Sequence, residues 1–320
     1  MHADDTSYEL GHGLQLGDLP LYVGGYFSFE YEDVFDKSRT VRLDDIALML
    51  YGEQGRVGYM LELEANDIYS EALDGSVDDE TVHSHMHIER MYLDYTFSDT
   101  LMLRTGKYNS PIGFWNLEPI NVLRDTTSNP RITEILFPDF TTGFDMHYSR
   151  NDRFDTTMDL MLQATKDLDT LVSHDVYNNF DTDRHFGIGV SGGEEGWAYR
   201  LNAGYFHRVD EGNDYLYAQA AFRYAEGNYR IQGAVGTQGT QERSSIPYVG
   251  YLQGLYEPKE GHALILRAES YDDRITQQKD TFAVFGYTYR PLYPIAIKAE
   301  YQQHSLHDEE MLMLSLSVLF

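Results

Sequence analysis

The 320-residue sequence predicts an all-β fold: a transmembrane antiparallel β-barrel of about 16 strands, whose third extracellular loop folds inward because Pro111, Pro119, Pro130 and Pro138 bar it from the sheet and its apolar residues need a wall. Three observations carry this. Apolar and polar residues alternate with period two along the whole chain, and no window sustains the 3.6-residue period of an amphipathic helix. The alternating segments last about 9–14 residues, the length of a tilted strand that crosses a bilayer. Short and long connections take turns between them, which gathers tight turns at one end of a closed sheet and loops at the other.

Each strand begins where alternation resumes after a connection. The expected starts are residues 21, 40, 57, 85, 101, 141, 154, 184, 197, 214, 229, 246, 262, 280, 294 and 310. The first is typical: Leu21, Val23, Phe27, Phe29 and Tyr31 alternate with Tyr22, Tyr26, Ser28 and Glu30. Near the end Ile295, Ile297, Ala299 and Tyr301 alternate with Lys298, Glu300 and Gln302. The last strand places Leu312, Leu314, Leu316, Val318 and Phe320 on one face. Short connections such as Glu53 to Arg56, Glu194 to Gly196 and Glu226 to Asn228 carry the Gly, Asn or Asp of tight hairpins. Long connections are expected at 70–84, 110–140, 166–184, 208–214, 237–245 and 272–279. Residues 1–20 read as an N-terminal periplasmic segment and 21–320 as one outer-membrane barrel. The start, Met1-His2-Ala3-Asp4, lacks a charged-then-apolar leader pattern and reads as a mature chain with a replaced leader.

Composition narrows the function. Lys+Arg number 24 against 52 Asp+Glu, a formal charge of −28 that repels phosphate backbones and argues against a nucleic-acid partner. Cys 0 excludes disulfides, thiolate metal sites and cysteine nucleophiles. No run approaches the roughly 20 apolar residues of a membrane helix. There is no G-x-S-x-G elbow, H-E-x-x-H pair or phosphate-cradling loop, so no enzyme is expected. Aromatics reach 14%, chiefly Tyr 26 and Phe 16. Outward Tyr31, Tyr95, Tyr148, Tyr199, Tyr205, Tyr224, Tyr287 and Tyr289 fall near strand ends, as interfacial girdles require.

The stretch from Arg104 to Asn116 contains Gly106-Lys107-Tyr108-Asn109-Ser110-Pro111-Ile112-Gly113, a G-K-x-x-x-P-x-G pattern. It resembles the segment that leads from the fifth strand into the inward loop of Gram-negative outer-membrane porins, including the phosphate-selective porin-like group. The terminal Phe320 likewise resembles the assembly signal such barrels present to the barrel assembly machinery. The resemblance implies a trimeric channel among outer-membrane lipid and lipopolysaccharide. Small outward residues (Gly233, Gly250, Gly254, Ala203, Ala218 and Ala220) would allow close wall-to-wall packing.

With Phe320 outward, the opposite face gives a pore lining. Basic positions on it include Arg90, Arg104, Arg200, Arg223, Arg230 and Arg267, with Arg290 and Lys298. Acids on it include Glu30, Asp45, Glu62, Glu64, Asp94, Asp145, Asp159, Glu269 and Glu300. The third loop adds Glu118, Arg124, Asp125, Arg131 and Glu134 as constriction residues, and a loop acid facing a wall arginine sets a transverse field. Lateral ion pairs between neighbouring strands are the simpler alternative. Acids at least equal bases inside, which favours weak selectivity or a preference for cations. The expected function is passive diffusion of small hydrophilic solutes and ions; the alternative is a sheath-type or structural barrel that holds a partner.

No cofactor is required. The acidic outer loops offer oxygens to Ca²⁺ or Mg²⁺ but lack EF-hand spacing, so solvated surface is the simpler reading. His83, His85 and His87 are spaced by two and share one face, a transition-metal pattern. Parity with Met91, Leu93 and Tyr95 places that face outward.

Overall fold

The computed structural model describes residues 8–73, 86–151, 153–171, 177–240, 244–305 and 310–320. Sixteen strands form one closed antiparallel sheet. They are β1 (Leu21–Val34), β2 (Ser38–Gln54), β3 (Val57–Ala72), β4 (Met86–Ser98), β5 (Leu101–Asn109) and β6 (Phe140–Arg150). Next come β7 (Thr156–Gln163), β8 (Thr182–Glu194), β9 (Trp197–Arg208), β10 (Asn213–Glu226) and β11 (Tyr229–Gly239). The circuit ends with β12 (Ser244–Lys259), β13 (His262–Asp273), β14 (Gln278–Leu292), β15 (Ile295–His304) and β16 (Glu310–Leu319). Strand β16 pairs with β1 from Met311 opposite Val34 to Leu319 opposite Tyr26, which leaves no open edge. Every start lies within two residues of the position at which alternation resumes in the sequence.

Alternation decides which side chain meets lipid. Outward Leu216, Leu252, Leu266 and Phe285 are about half exposed, whereas inward Gln232, Gln253, Arg267 and Glu300 are buried. This apolar belt has no soluble partner in the fold and suits a bilayer. Aromatics bound it: Tyr229 stacks on Tyr256 at 4.7 Å and Trp197 on Tyr199 at 6.0 Å, all near the short-turn end. The turn between β10 and β11 holds only Gly227 and Asn228, and the φ of +56° at Gly227 suits a residue without Cβ. At the same end, Gly13–Gln15 extends the sheet by pairing Leu14 with Val23 and Gln15 with Tyr22.

Two features depart from expectation. Only residues 209–212, 240–243 and 274–277 separate the strands where loops of seven to nine residues were read. The flanking strands keep pairing past the belt, as at Arg208 with Asn213 and Asp273 with Gln278. Those rungs are polar on both faces, and polarity without alternation looks like loop. The second is a bulge in β4: Glu62 pairs with Arg90 but Leu63 pairs with Ile88, which makes Glu89 the extra residue. The bulge reverses parity, so His87 sits opposite inward-facing Glu64 instead of facing outward with Met91. His83 and His85 lie outside the described residues.

Candidate functional site

The loop of about thirty residues between β5 and β6 lies within the barrel and is bonded to it along most of its length. Its entry is built by the G-K-x-x-x-P-x-G stretch. Gly106 has φ +129°, and a Cβ there would strike the backbone of Met91 and Tyr92 on β4. Lys107 is fully buried; its Nζ pairs with Asp169 and with Asp167 at 3.3 Å, and donates to the Tyr177 carbonyl at 3.1 Å. Ser110 Oγ and Thr141 Oγ1 share a 2.8 Å hydrogen bond, and Asn116 Nδ2 donates to the carbonyls of Ser110 and Asp139 at 2.8 and 3.0 Å. Those bonds close the neck of the loop.

Beyond the neck, two apolar clusters hold it to different walls. Ile112, Ile132, Leu136 and Phe137 pack with Phe206, Tyr217 and Tyr251 of β9, β10 and β12. Ile120 and Val122 pack with Tyr26, Ala47, Met49 and Ala296 of β1, β2 and β15. The loop's backbone polar groups, which would otherwise be buried without partners, are met by wall side chains. Arg200 Nη1 donates to the Pro111 carbonyl at 2.8 Å, and Gln238 Nε2 to the Leu136 carbonyl at 2.9 Å. Lys298 Nζ donates to the Asn121 carbonyl at 2.5 Å, and Arg290 donates to the carbonyls of Val122 and Arg124.

The charged positions read from the sequence fall into three groups. Arg90 pairs with Glu62, Arg104 with Asp94 at 2.8 Å, Arg200 with Asp159 at 3.3 Å and Arg267 with Glu269 at 2.6 Å, all within the wall. Arg223 reaches the loop at Glu118, 2.7 Å away, and Arg230 reaches Asp125. Arg131 pairs with Glu134 inside the loop at 2.7 Å, and Arg124 Nε donates to the Glu118 carbonyl at 2.8 Å. Glu118 and Asp125 thus bind wall arginines directly instead of facing them across an open lumen. Phe320 extends β16: its N–H donates to the Gly25 carbonyl at 2.7 Å, and its ring lies 6.3 Å from that of Phe27.

Two polar cavities flank the loop. The outer one, about 520 Å³, is lined by Arg124, Glu134, Asp139, Glu64 and Glu89 among others. The inner one, about 420 Å³ and near the turn at Gly261, is lined by Glu118, Asp125, Arg230 and Arg290. Burial, then the nearby Glu134 carboxylate, push the Asp139 carboxyl up to about 8 against the opposing pull of Arg124. Burial also raises Asp167, with Lys107 opposing it.

No family model matches the chain, and no curated protein matches it in sequence. Solved structures do. An outer membrane-expressed OmpT of Vibrio cholerae matches with TM-score 0.64 at 10% identity, over 95% of this chain and 99% of that one. OmpF of Salmonella typhi, solved with daunomycin, matches with TM-score 0.64 at 9% identity, over 94% and 97%. An anion-selective porin from Comamonas acidovorans matches with TM-score 0.63 at 10% identity, over 94% and 99%. The fold is that of the outer-membrane porins. The closed porin-type sheet with its lipid-facing belt places the chain in a bacterial outer membrane.

Within this porin fold, sequence reasoning missed the second segment that folds inward, between β7 and β8. Asp167 and Asp169 reach Lys107, Phe180 stacks on Phe206 at 5.3 Å, and Asn179 Nδ2 donates to the Phe137 carbonyl at 2.8 Å. The available signal was Lys107 itself, which alternation from inward Arg104 puts on the lipid face, where a lysine finds no anion. Asn121, Asn179 and Gln238 had no signal, because an amide bonded to a loop backbone looks like any polar residue.

Proposed function

We propose that the chain is a passive diffusion channel for small hydrophilic solutes and ions, with the loop over 110–140 as its constriction. The observation that carries this reading is the loop's double attachment: Ile132 and Leu136 on one side of the barrel, Ile120 and Val122 on the other. A loop held to opposite walls leaves a narrow, charged passage, and such passages dominate conductance and selectivity. It also occupies space that a sheath would need for a partner, which counts against the sheath reading. A weak cation preference is supported by the outer cavity, where six acids (Glu30, Asp44, Asp45, Glu64, Glu89 and Glu134) line the wall and loop beside four arginines (Arg42, Arg124, Arg131 and Arg267), and where Asp139 adds a seventh once it ionises. The Comamonas acidovorans porin is described as anion-selective; this lining points the other way.

The functional unit in this reading is a homotrimer without catalytic activity. A trimer form of the Vibrio cholerae OmpT is among the similar structures. Ala203 pairs with Ala218 on the lipid face, beside Ala220, Gly233 and Gly250 on adjoining strands, and these small residues allow close packing. The test is single-channel recording of the purified protein in salt. Ohmic steps that grow when Pro119 to Arg131 is deleted support the channel; no steps without an added partner would return the sheath to first place.

A further inference from the structure

We propose that Glu64, His87 and Glu89 form a binding site for a divalent transition-metal ion of the Zn²⁺ class, open to the outer cavity. The site is a product of the β4 bulge. Without the extra residue, His87 and Glu89 would point to the lipid; with it, both turn inward beside Glu64 of β3. One ligand atom from each residue lies within 4.8 Å of the other two. His87 Nε2 and Glu89 Oε2 are already 3.5 Å apart. Two ligands of a tetrahedral ion with bonds of about 2.0–2.2 Å stand roughly 3.3–3.6 Å apart. Both atoms are buried without a hydrogen-bond partner. Most buried polar atoms are paired, and two acceptors that face each other at this distance can be satisfied together by one cation.

Local charge supports a cation. Among the described residues neither Glu64 nor Glu89 has a lysine or arginine ion pair, because Arg90 is bound to Glu62 and Lys107 to Asp167 and Asp169. Supporting groups hold the ligands in place. Tyr26 Oη donates to Glu64 Oε2 at 2.5 Å, and the Tyr177 ring stacks on the His87 imidazole with centroids 3.3 Å apart. Such outer-shell contacts orient metal ligands. One imidazole with two carboxylates suits Zn²⁺, Co²⁺ or Mn²⁺ better than the all-oxygen sets of Ca²⁺ and Mg²⁺. Glu64, Glu89 and Tyr177 line the outer cavity, which gives the ion a path from outside. The inference stands whether or not the barrel conducts.

The test uses the whole protein in detergent, stripped with a chelator and titrated with Co²⁺, Zn²⁺ and Ca²⁺. One Co²⁺ per chain is expected, with visible absorption bands, displacement by Zn²⁺ and binding at least about tenfold tighter than that of Ca²⁺. His87→Ala and Glu89→Gln each weaken Co²⁺ binding at least about tenfold, while the double variant His83→Ala/His85→Ala leaves it unchanged. His87→Gln replaces His87→Ala if the latter does not give a heat-modifiable barrel. The proposal is overturned by no Co²⁺ uptake, as a proton shared between the carboxylates would give. It is equally overturned by uptake that survives loss of His87, or by uptake lost with His83 and His85.

Discussion

Arg267 anchors the middle of the third loop with three hydrogen bonds, to Thr126 Oγ1, the Ser128 carbonyl and Ser128 Oγ. It is fully buried, with Nε on Glu269 at 2.6 Å, Nη1 on Thr126 Oγ1 at 2.6 Å and Nη2 on Ser128 Oγ at 2.6 Å. Glu269, itself 2% exposed, uses its other oxygen to accept the Arg131 N–H at 2.7 Å. Replacing Arg267 with Ala removes the loop's bonds and leaves the Glu269 carboxylate buried without its counter-charge. Breaking one side of a buried pair costs about 3–5 kcal/mol. At 1.4 kcal/mol per tenfold, this shifts the docked-to-released equilibrium of residues 126–131 by about two to three and a half orders of magnitude. Trypsin should then cut the folded Arg267→Ala barrel at Arg124 or Arg131, where the wild-type loop resists, and single-channel current should become noisier. The double variant Arg267→Met/Glu269→Gln, which leaves no lone charge, should recover much of the resistance. An Arg267→Ala barrel that stays uncut and quiet would refute the anchoring role.

Asp125→Asn combined with Glu134→Gln should move reversal potentials toward anions with little change in conductance, because Arg230 and Arg131 lose their partners while the loop keeps its backbone bonds; an unmoved potential sinks this. Phe320→Ser should lower the yield of assembled barrel more than the stability of what assembles. The bonds between Phe320 and the Gly25 backbone persist in that variant, and one outward ring contributes only about 2–3 kcal/mol; normal yields contradict this. Asp139 titrates near 8 in the folded chain, against about 3.9 when unfolded. The unfolded state therefore binds fewer protons between about pH 4 and 8, and the group's contribution to stability, fullest below about pH 4, declines up to pH 8. Its ionisation adds negative charge to the outer cavity, so cation preference should rise between about pH 7 and 9, and rise less in Asp139→Asn than in the wild type.

Much of this was legible in the sequence, because a barrel strand writes its orientation into every second residue. The Leu312-Leu314-Leu316 run and the Gln302-Glu300-Lys298 run needed no tertiary information to be assigned faces. The third loop was legible for another reason: Pro111, Pro119, Pro130 and Pro138 bar it from a ladder, and its apolar residues need a wall. His87 was misread because a bulge carries no residue signature. One extra position at Glu89 inverts every face before it, and only the pairing of Glu62 with Arg90 and Leu63 with Ile88 reveals the slip. The partner of Lys107 was hidden for the same kind of reason, since Asp167 and Asp169 sit some sixty residues downstream in a segment without periodicity.

Inward charge counts are therefore a poor guide to selectivity by themselves. The sequence offers Arg223, Arg230 and Arg267 as a basic wall, yet each is bound to an acid: Glu118, Asp125 and Glu269. Paired charges present dipoles to a passing ion, and their fields fall off faster than those of single charges. What remains to act at a distance are ionised groups without a lysine or arginine partner, and among the described residues Glu64 and Glu89 at the outer cavity, once ionised, are such groups. If a metal ion settles between them, it neutralises the charge that would otherwise attract cations. Selectivity measured after chelation should then be more cationic than selectivity measured in Zn²⁺, which couples the site in the β4 bulge to the passage beside the third loop.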